Sequence, residues 1–449
     1  MIQKLHVFVW GPGMLALFLF TGVLYTVRLR GFQIFRFSRW WKVTAGSLLR
    51  RCPDIGNRES ADRQSGISHS QAACTALAAT IGTGNIAGVA TAILAGGPGA
   101  IFWMWISAFL GMATAYGETF LGIRFRRRDR EGNWISGAMV YLEHGLQCRW
   151  AAALYAVLCL AASFGMGSMV QANAISETFE LVFSAGPLLT GSLLTALAGR
   201  IMAGGAKKIA RTAEKLVPVS AGIYMAASLA VIVVFRDRLS SAFGMIFRDA
   251  FTASGVSGGI LGVAAGRSVR YGVARGVFSN EAGLGSMAAL NGGADDGDPK
   301  LQGQWAMFEV FFDTIVSCTL TAAVILCAAG DEIAAFRGNG AALINLCFFR
   351  GLGYLGGYAV SVCVTLFAFA TIIAWYYMGK QAASYLGDVI GADVTRIYLA
   401  GYLICVFLGS LGTMETVWEI SDICNGLMAL PNLMALNLLV GQTKRPDRG

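Results

Sequence analysis

Apolar runs of about twenty residues recur from one end of the chain to the other, separated by short polar or basic stretches. That spacing predicts helices that cross a bilayer. Eleven are expected, at residues 8–27, 70–94, 100–123, 150–175, 188–203, 216–235, 269–290, 305–328, 352–379, 397–411 and 420–440. A short interfacial helix is expected at 135–146. The stretch 239–251 mixes apolar and charged residues at helical spacing and reads as an amphipathic outer element. A Gly-rich segment at 255–266 and a polar loop at 291–304 punctuate the second half.

Two of the eleven runs are interrupted. In the second, Gly82, Gly84 and Asn85 stand in mid-span; in the seventh, Ser279, Asn280, Glu281, Gly283 and Gly285 do. These are poor helix formers, and lipid offers no partner to backbone groups freed by a break. An interrupted span is therefore tolerated only where those groups meet protein, water or a ligand. The interruptions lie five spans apart, so spans 2–6 and 7–11 form two sets of five that insert with opposite orientation. Transporters built from inverted repeats carry broken helices at corresponding positions of their halves. The expected fold is thus an all-α polytopic membrane protein of about eleven spans with a five-plus-five inverted repeat. Its parts are 1–69 (first helix and basic cytoplasmic segment), 70–235 and 236–441 (the two repeats), and 442–449 (cytoplasmic tail).

Composition agrees with this. Of 449 residues, 55% are hydrophobic and 14% charged, against about a quarter charged in soluble domains. The apolar run at 8–27 is too long for a signal-peptide core. The net charge of +9 raises the question of nucleic acid, but the basic residues cluster after spans 1, 3 and 5 and at the end of the chain. By the positive-inside rule these segments share one side, which puts the N-terminus outside and the C-terminus in the cytoplasm and excludes a nucleic-acid surface. Six of the ten cysteines fall within apolar spans and behave as small hydrophobes. No Cys/His spacing suggests a resident metal or cofactor.

The chemistry concentrates at the two breaks. The N-terminal end of a half-helix offers free N–H groups and a positive dipole end to a carboxylate. Unwound carbonyls suit a desolvated cation, so the pair suits a zwitterion and a cation together. Close helix packing is the simpler use of a small-residue stripe, but it does not account for two breaks in register, each with an Asn. The pattern Gly-x-Gly-x-x-Ala at 82–87 also matches a dinucleotide fingerprint, which requires a preceding strand and is rejected here. Glu118, Glu281, Glu309 and Asp313 are intramembrane carboxylates and candidates for function. Glu281, inside a break, is expected to partner a helix N-terminus or an arginine before it binds an ion.

Residues 71–89, the Val-Gln-Ala-Asn block at 170–173, residues 270–286 and residues 425–432 together resemble the alanine/glycine:cation symporter family, the sodium:alanine symporters. The resemblance covers almost the whole chain. It implies a symporter of the inner membrane of a bacterium or archaeon that imports alanine or glycine with Na⁺. By residue, it implies that Thr83, Gly84 and Asn85 hold the substrate carboxylate and that Gln171 lines the pocket. Phe164, Phe278 and Trp375 are implied as walls and gates, and the carbonyls of Phe278 and Ser279 as partners of the substrate ammonium. Fold analogy points to the carbonyls of Ala78 and Ile81 and the hydroxyl of Thr371 for Na⁺, with Asn280, Glu281 and Asp313 as further candidates.

The chain departs from the family pattern at Ala370, where a serine is usual, at 376–380, and at Ala138, where a proline is usual. The first two lie near the expected site and bear on ion identity and substrate size. Proton coupling through Glu281 or Asp313, a larger substrate such as glutamine, and a channel or nutrient sensor are the alternatives. No enzyme-like nucleophile–base pair appears.

Overall fold

The computed structural model describes residues 5, 8–49, 67–129, 131–251, 266–295, 297–412 and 415–446. Residues 50–66 of the basic stretch after the first helix and most of the Gly-rich segment at 255–266 lie outside these residues. The described chain is helical apart from one small hairpin, β1 (Arg127–Arg128) against β2 (Trp134–Ile135).

α1 (Pro12–Arg28) opens with a proline in its first turn, where the missing N–H costs nothing. The second run is two helices, α2 (His69–Thr80) and α3 (Gly84–Gly96), bent by 51° at the break. α4 (Ala100–Phe125) and the short α5 (Ala138–His144) follow, then α6 (Arg149–Phe183), α7 (Pro187–Met202) and α8 (Gly205–Val234). α9 (Leu239–Ala250) is the amphipathic outer element. The seventh run is again two helices, α10 (Arg267–Asn280) and α11 (Ser286–Asn291). α12 (Pro299–Ala328), α13 (Gly340–Leu352), α14 (Tyr354–Ile390), α15 (Thr395–Gly409) and α16 (Glu415–Leu439) complete the chain.

Among the described residues six helices are long and apolar enough to cross a membrane, seven if α2 and α3 count as one span. α1, α7, α13 and α15 are shorter apolar helices. α13 lies between the eighth and ninth apolar runs, and Asn339 caps it by accepting from the Ala342 N–H at 2.8 Å. α8 starts ahead of its apolar run because the basic stretch 207–215 continues the same helix.

α4 packs along α12, α10 and α1, while α14 lies against α8 and α6. Both broken runs are held inside this scaffold. Two further stretches, Ser163–Met169 in α6 and Phe311–Cys318 in α12, are π-turns, with one residue more per turn than the α-helix around them. The second meets both breaks through Asp313, while the first packs on α14, α15 and α16.

Candidate functional site

The second run begins with a capping box: Ser68 accepts from the Gln71 N–H and the Gln71 side chain accepts from the Ser68 N–H, each at 3.2 Å. α2 stops at Thr80 because Ile81 turns extended, with φ −75° and ψ 95°. Gly82 has no room for a side chain, since a Cβ there would lie 2.9 Å from Thr371 Oγ1. The chain recoils at Gly84, and the first N–H groups of α3 have no partner four residues back.

Asn85 fastens this break. Its Oδ1 accepts from the Gly82 N–H at 3.0 Å, and its Nδ2 donates to Asp313 Oδ1 at 2.6 Å and to the Asp313 carbonyl at 3.1 Å. The Thr321 hydroxyl donates to the Asn85 carbonyl at 2.8 Å. The side chain is fully buried and its amide is already engaged. The groups left to meet a carboxylate are therefore the backbone N–H groups of Thr83 and Gly84, not the Asn85 amide; the Thr83 hydroxyl joins them only by leaving Gln171. Thr83 Oγ1 donates to Gln171 Oε1 at 3.4 Å, and Gln171 Nε2 donates to the Met166 carbonyl, freed by the π-turn, at 3.2 Å.

In the seventh run α10 ends at Asn280. Glu281 takes a left-handed conformation (φ 55°), followed by Gly283 and Gly285 at φ 93° and 89°. At Gly285 a Cβ would also collide with the Tyr155 hydroxyl at 2.3 Å, so glycine is required twice over. This loop is clamped from three helices. Glu118 Oε2 accepts from the Gly283 N–H at 2.9 Å, and the amides of Gly285 and Met287 face the same carboxylate. Asn432 donates to the Gly283 carbonyl at 2.9 Å, and Tyr155 to the Leu284 carbonyl at 3.2 Å. Glu118, not Glu281, thus occupies the N-terminal end of the second half-helix; Glu281 lies buried beside Ser286 and Trp375. A charge in an apolar span was the only sequence signal for Glu118.

The two breaks meet. A Cβ on Gly84 would lie 3.7 Å from both the Phe278 ring and Ser279 Cα. Asp313, on the π-turn of α12, joins them: besides Asn85, it accepts from Ser279 Oγ and Thr314 Oγ1 at 2.8 Å each. Asn280 in turn donates to Thr314 Oγ1 at 3.0 Å and accepts from the Ala282 N–H at 3.1 Å. These donors to Asp313 are all uncharged, and its side chain is fully buried.

Thr371 on α14 lies 3.0 Å from the Ala78 carbonyl and 3.0 Å from the Phe367 carbonyl of its own helix. A hydroxyl carries one proton, so only one of these contacts is a hydrogen bond at a time. When the proton goes to Phe367, Thr371 Oγ1 and the Ala78 carbonyl are a pair of bare oxygens near the Ile81 turn, a donor type that suits a hard cation. Among the described residues no group of three His, Cys, Asp or Glu side chains is arranged to hold a metal.

The remaining predicted residues divide. Trp375 is buried against the π-turn of α6, where a Cβ on Gly167 would meet it at 2.4 Å. Phe278 is buried beneath Trp418, with ring centroids 6.1 Å apart, and forms the floor of a cavity of about 130 Å³ lined by Trp10, Arg270, Arg275 and Asp422. Phe164 points elsewhere: its ring packs on Tyr398 and Tyr402 of α15, at 5.3 and 6.4 Å.

The end of the bundle that carries Arg124–Arg128 is sealed. Ile67, just before α2, pairs in strand fashion with Ala294, just after α11. Asp295 accepts from the Ile67 N–H at 2.7 Å and returns its own N–H to the Ile67 carbonyl at 3.1 Å. Arg126 donates to the Gly292 carbonyl at 2.7 Å and stacks on Trp134 at 3.9 Å. A polar chain of Glu309, Asn291, Gln302 and His69 ties the same half-helix ends to α12.

Membrane-length helices, two facing interruptions and a seal at one end define a membrane transporter. The fold is like that of MhsT, crystallised in complex with L-phenylalanine, with a TM-score of 0.62 over 86% of this chain and 90% of that one at 16% identity. Residues 1–446 match the model of the sodium:alanine symporter family, and the chain belongs to that family. It is 38% identical to the sodium/alanine symporter AgcS of Methanococcus maripaludis over 98% of this chain and 94% of that protein. It is 39% identical to an uncharacterized transporter of Haemophilus influenzae over 99% and 95%. Its activity is therefore cation-coupled amino-acid symport, not catalysis.

Proposed function

We propose that this protein imports alanine or glycine together with Na⁺ by alternating access. The observation that carries this reading is the contact of the two breaks at Gly84, Phe278 and Ser279. In this reading the substrate carboxylate takes the α3 end, because Glu118 already fills the corresponding end of α11. The ammonium takes the carbonyls of Phe278 and Ser279. Na⁺ takes the Ala78 and Ile81 carbonyls with Thr371 Oγ1, and each charge moved inward through 100 mV supplies about 2.3 kcal/mol. The eleven-span count, the halves 70–235 and 236–441, and an inner membrane with the basic end in the cytoplasm belong to the same reading.

A second coupling ion, H⁺ at Asp313, is favoured by the uncharged donors around that carboxylate. Proteoliposomes decide between them. Counterflow of labelled alanine is expected, and it separates a carrier from a channel or a sensor. Uptake should cease when choline replaces Na⁺; uptake that survives choline and follows a pH gradient would assign coupling to the proton.

A further inference from the structure

Beyond the transport route, α8 carries a stripe of residues that transport of a zwitterion does not use. Lys208, Arg211, Thr212, Lys215, Leu216 and Val219 recur at three- and four-residue spacing, hence on one face. Together with Leu366 of α14 they line a groove of about 330 Å³. Its chemistry changes along its length, from three cations at one end to aliphatic side chains at the other.

Depth in the membrane follows from the helix itself. Between Lys215 and Arg236 the chain has no charge for about 20 residues, or about 30 Å at 1.5 Å per residue, which equals the hydrocarbon thickness of a bilayer. Lys215 therefore stands at the edge of the hydrocarbon, with Arg211 and Lys208 about one and two turns further out, at the level of the phosphates. α8 also sits at the rim of the bundle, where Val219, Ile223, Leu229 and Val233 are exposed. The groove thus opens sideways onto lipid.

The cations are not spent on protein partners of opposite charge. Lys208 donates one proton to the Arg200 carbonyl at 2.7 Å. Glu214, the nearest acid on the helix, is turned away and accepts from Gln71 at 2.9 Å. Among the described residues no ion pair involves Lys208, Arg211 or Lys215.

We propose that this groove is a binding site for one anionic phospholipid, with the phosphate held by Lys208, Arg211 and Lys215, the Thr212 hydroxyl beside it, and an acyl chain laid along Leu216, Val219 and Leu366. A soluble anion has no use for the aliphatic half, and a zwitterionic headgroup carries its own cation to the phosphate and gains little from three more. Each basic residue at an anionic headgroup contributes about a fivefold factor in affinity. Neutralising Arg211 and Lys215 together should weaken binding about 25-fold.

The test uses the full-length purified protein, with native mass spectrometry and thermal unfolding in detergent supplemented with phosphatidylglycerol or phosphatidylethanolamine. Wild type should retain phosphatidylglycerol preferentially and unfold later in its presence. R211Q/K215Q should lose both effects, and a control, R36Q/R39Q in the basic segment after α1, should keep them. Leu366→Trp, which fills the aliphatic half and leaves every cation in place, should also shed the lipid. Equal retention of the two lipids, retention of phosphatidylglycerol by R211Q/K215Q, or equal protection by millimolar inorganic phosphate would overturn the assignment.

Discussion

Asn85→Ala is the most informative single change to the transport site. It removes the acceptor for the Gly82 N–H and the donor to Asp313, at 3.0 and 2.6 Å, in a place without solvent. A buried group left without its partner costs about 1–3 kcal/mol, and more when the partner is charged. Two such losses come to about 3–5 kcal/mol. The Thr321 bond to the residue 85 carbonyl survives, so α3 stays attached to α12 while the Gly82 turn loses its tie. Part of this cost appears as a lower unfolding midpoint and part as a smaller fraction of molecules with the break in its binding shape. Because about 1.4 kcal/mol is a factor of ten in an equilibrium constant, half of the cost falling on the second part lowers the constant for the binding shape more than tenfold, and alanine counterflow falls by the same factor once that shape is the minor one. The assay pairs counterflow in proteoliposomes with thermal unfolding of the same preparation. Thr321→Ala, which removes only uncharged bonds, to the Asn85 carbonyl and to the Tyr224 hydroxyl, each worth about 1 kcal/mol, serves as the milder comparison. Wild-type counterflow together with a wild-type midpoint in Asn85→Ala would refute the fastening role.

Three further outcomes are expected. Thr371→Val keeps the shape at that position and removes one oxygen; the Na⁺ concentration for half-maximal uptake should rise at least tenfold with little change in unfolding midpoint, and an unchanged Na⁺ dependence would move the ion elsewhere. Glu118→Gln leaves one neutral carbonyl oxygen for the backbone donors of 283–287 and puts an N–H₂ where Oε1 has no partner, and should cost about 1.5–3 kcal/mol in thermal unfolding; a midpoint equal to wild type would mean that the clamp is not held by charge. Asp295→Ala takes an acceptor from the Ile67 N–H and should speed labelling of a cysteine introduced at Ala210, near the seal. Labelling no faster than in wild type would show that Asp295 does not hold that end shut.

Much of this architecture is legible in the sequence because lipid forbids unpaired backbone. Glycine and asparagine inside an apolar run leave few readings, and both breaks lie where Gly82–Asn85 and Glu281–Gly285 put them. What escaped is what depends on helical phase or on distant partners. Phe164 sits within the Ser163–Met169 π-turn, where each additional residue rotates the helix face by about 100°. Its ring packs on Tyr398, and the sequence carries no sign of the wider turn that sets its direction. The partners of Glu118 are 165 residues away in the chain, and no local pattern encodes them. The family resemblance implies Asn85 as part of the segment that holds the substrate carboxylate. Only the geometry reveals that both ends of its amide are engaged.

The strand-like pairing of Ile67 with residues 294–295 joins the start of α2 to the tail of α11. Any motion that separates those half-helices must first unzip it, whereas a motion that carries them together need not. The lower halves of the two interrupted helices are therefore coupled as a single lever, with its pivots at Gly82 and at Gly283 and Gly285, and the far side of the bundle is left to swing against it.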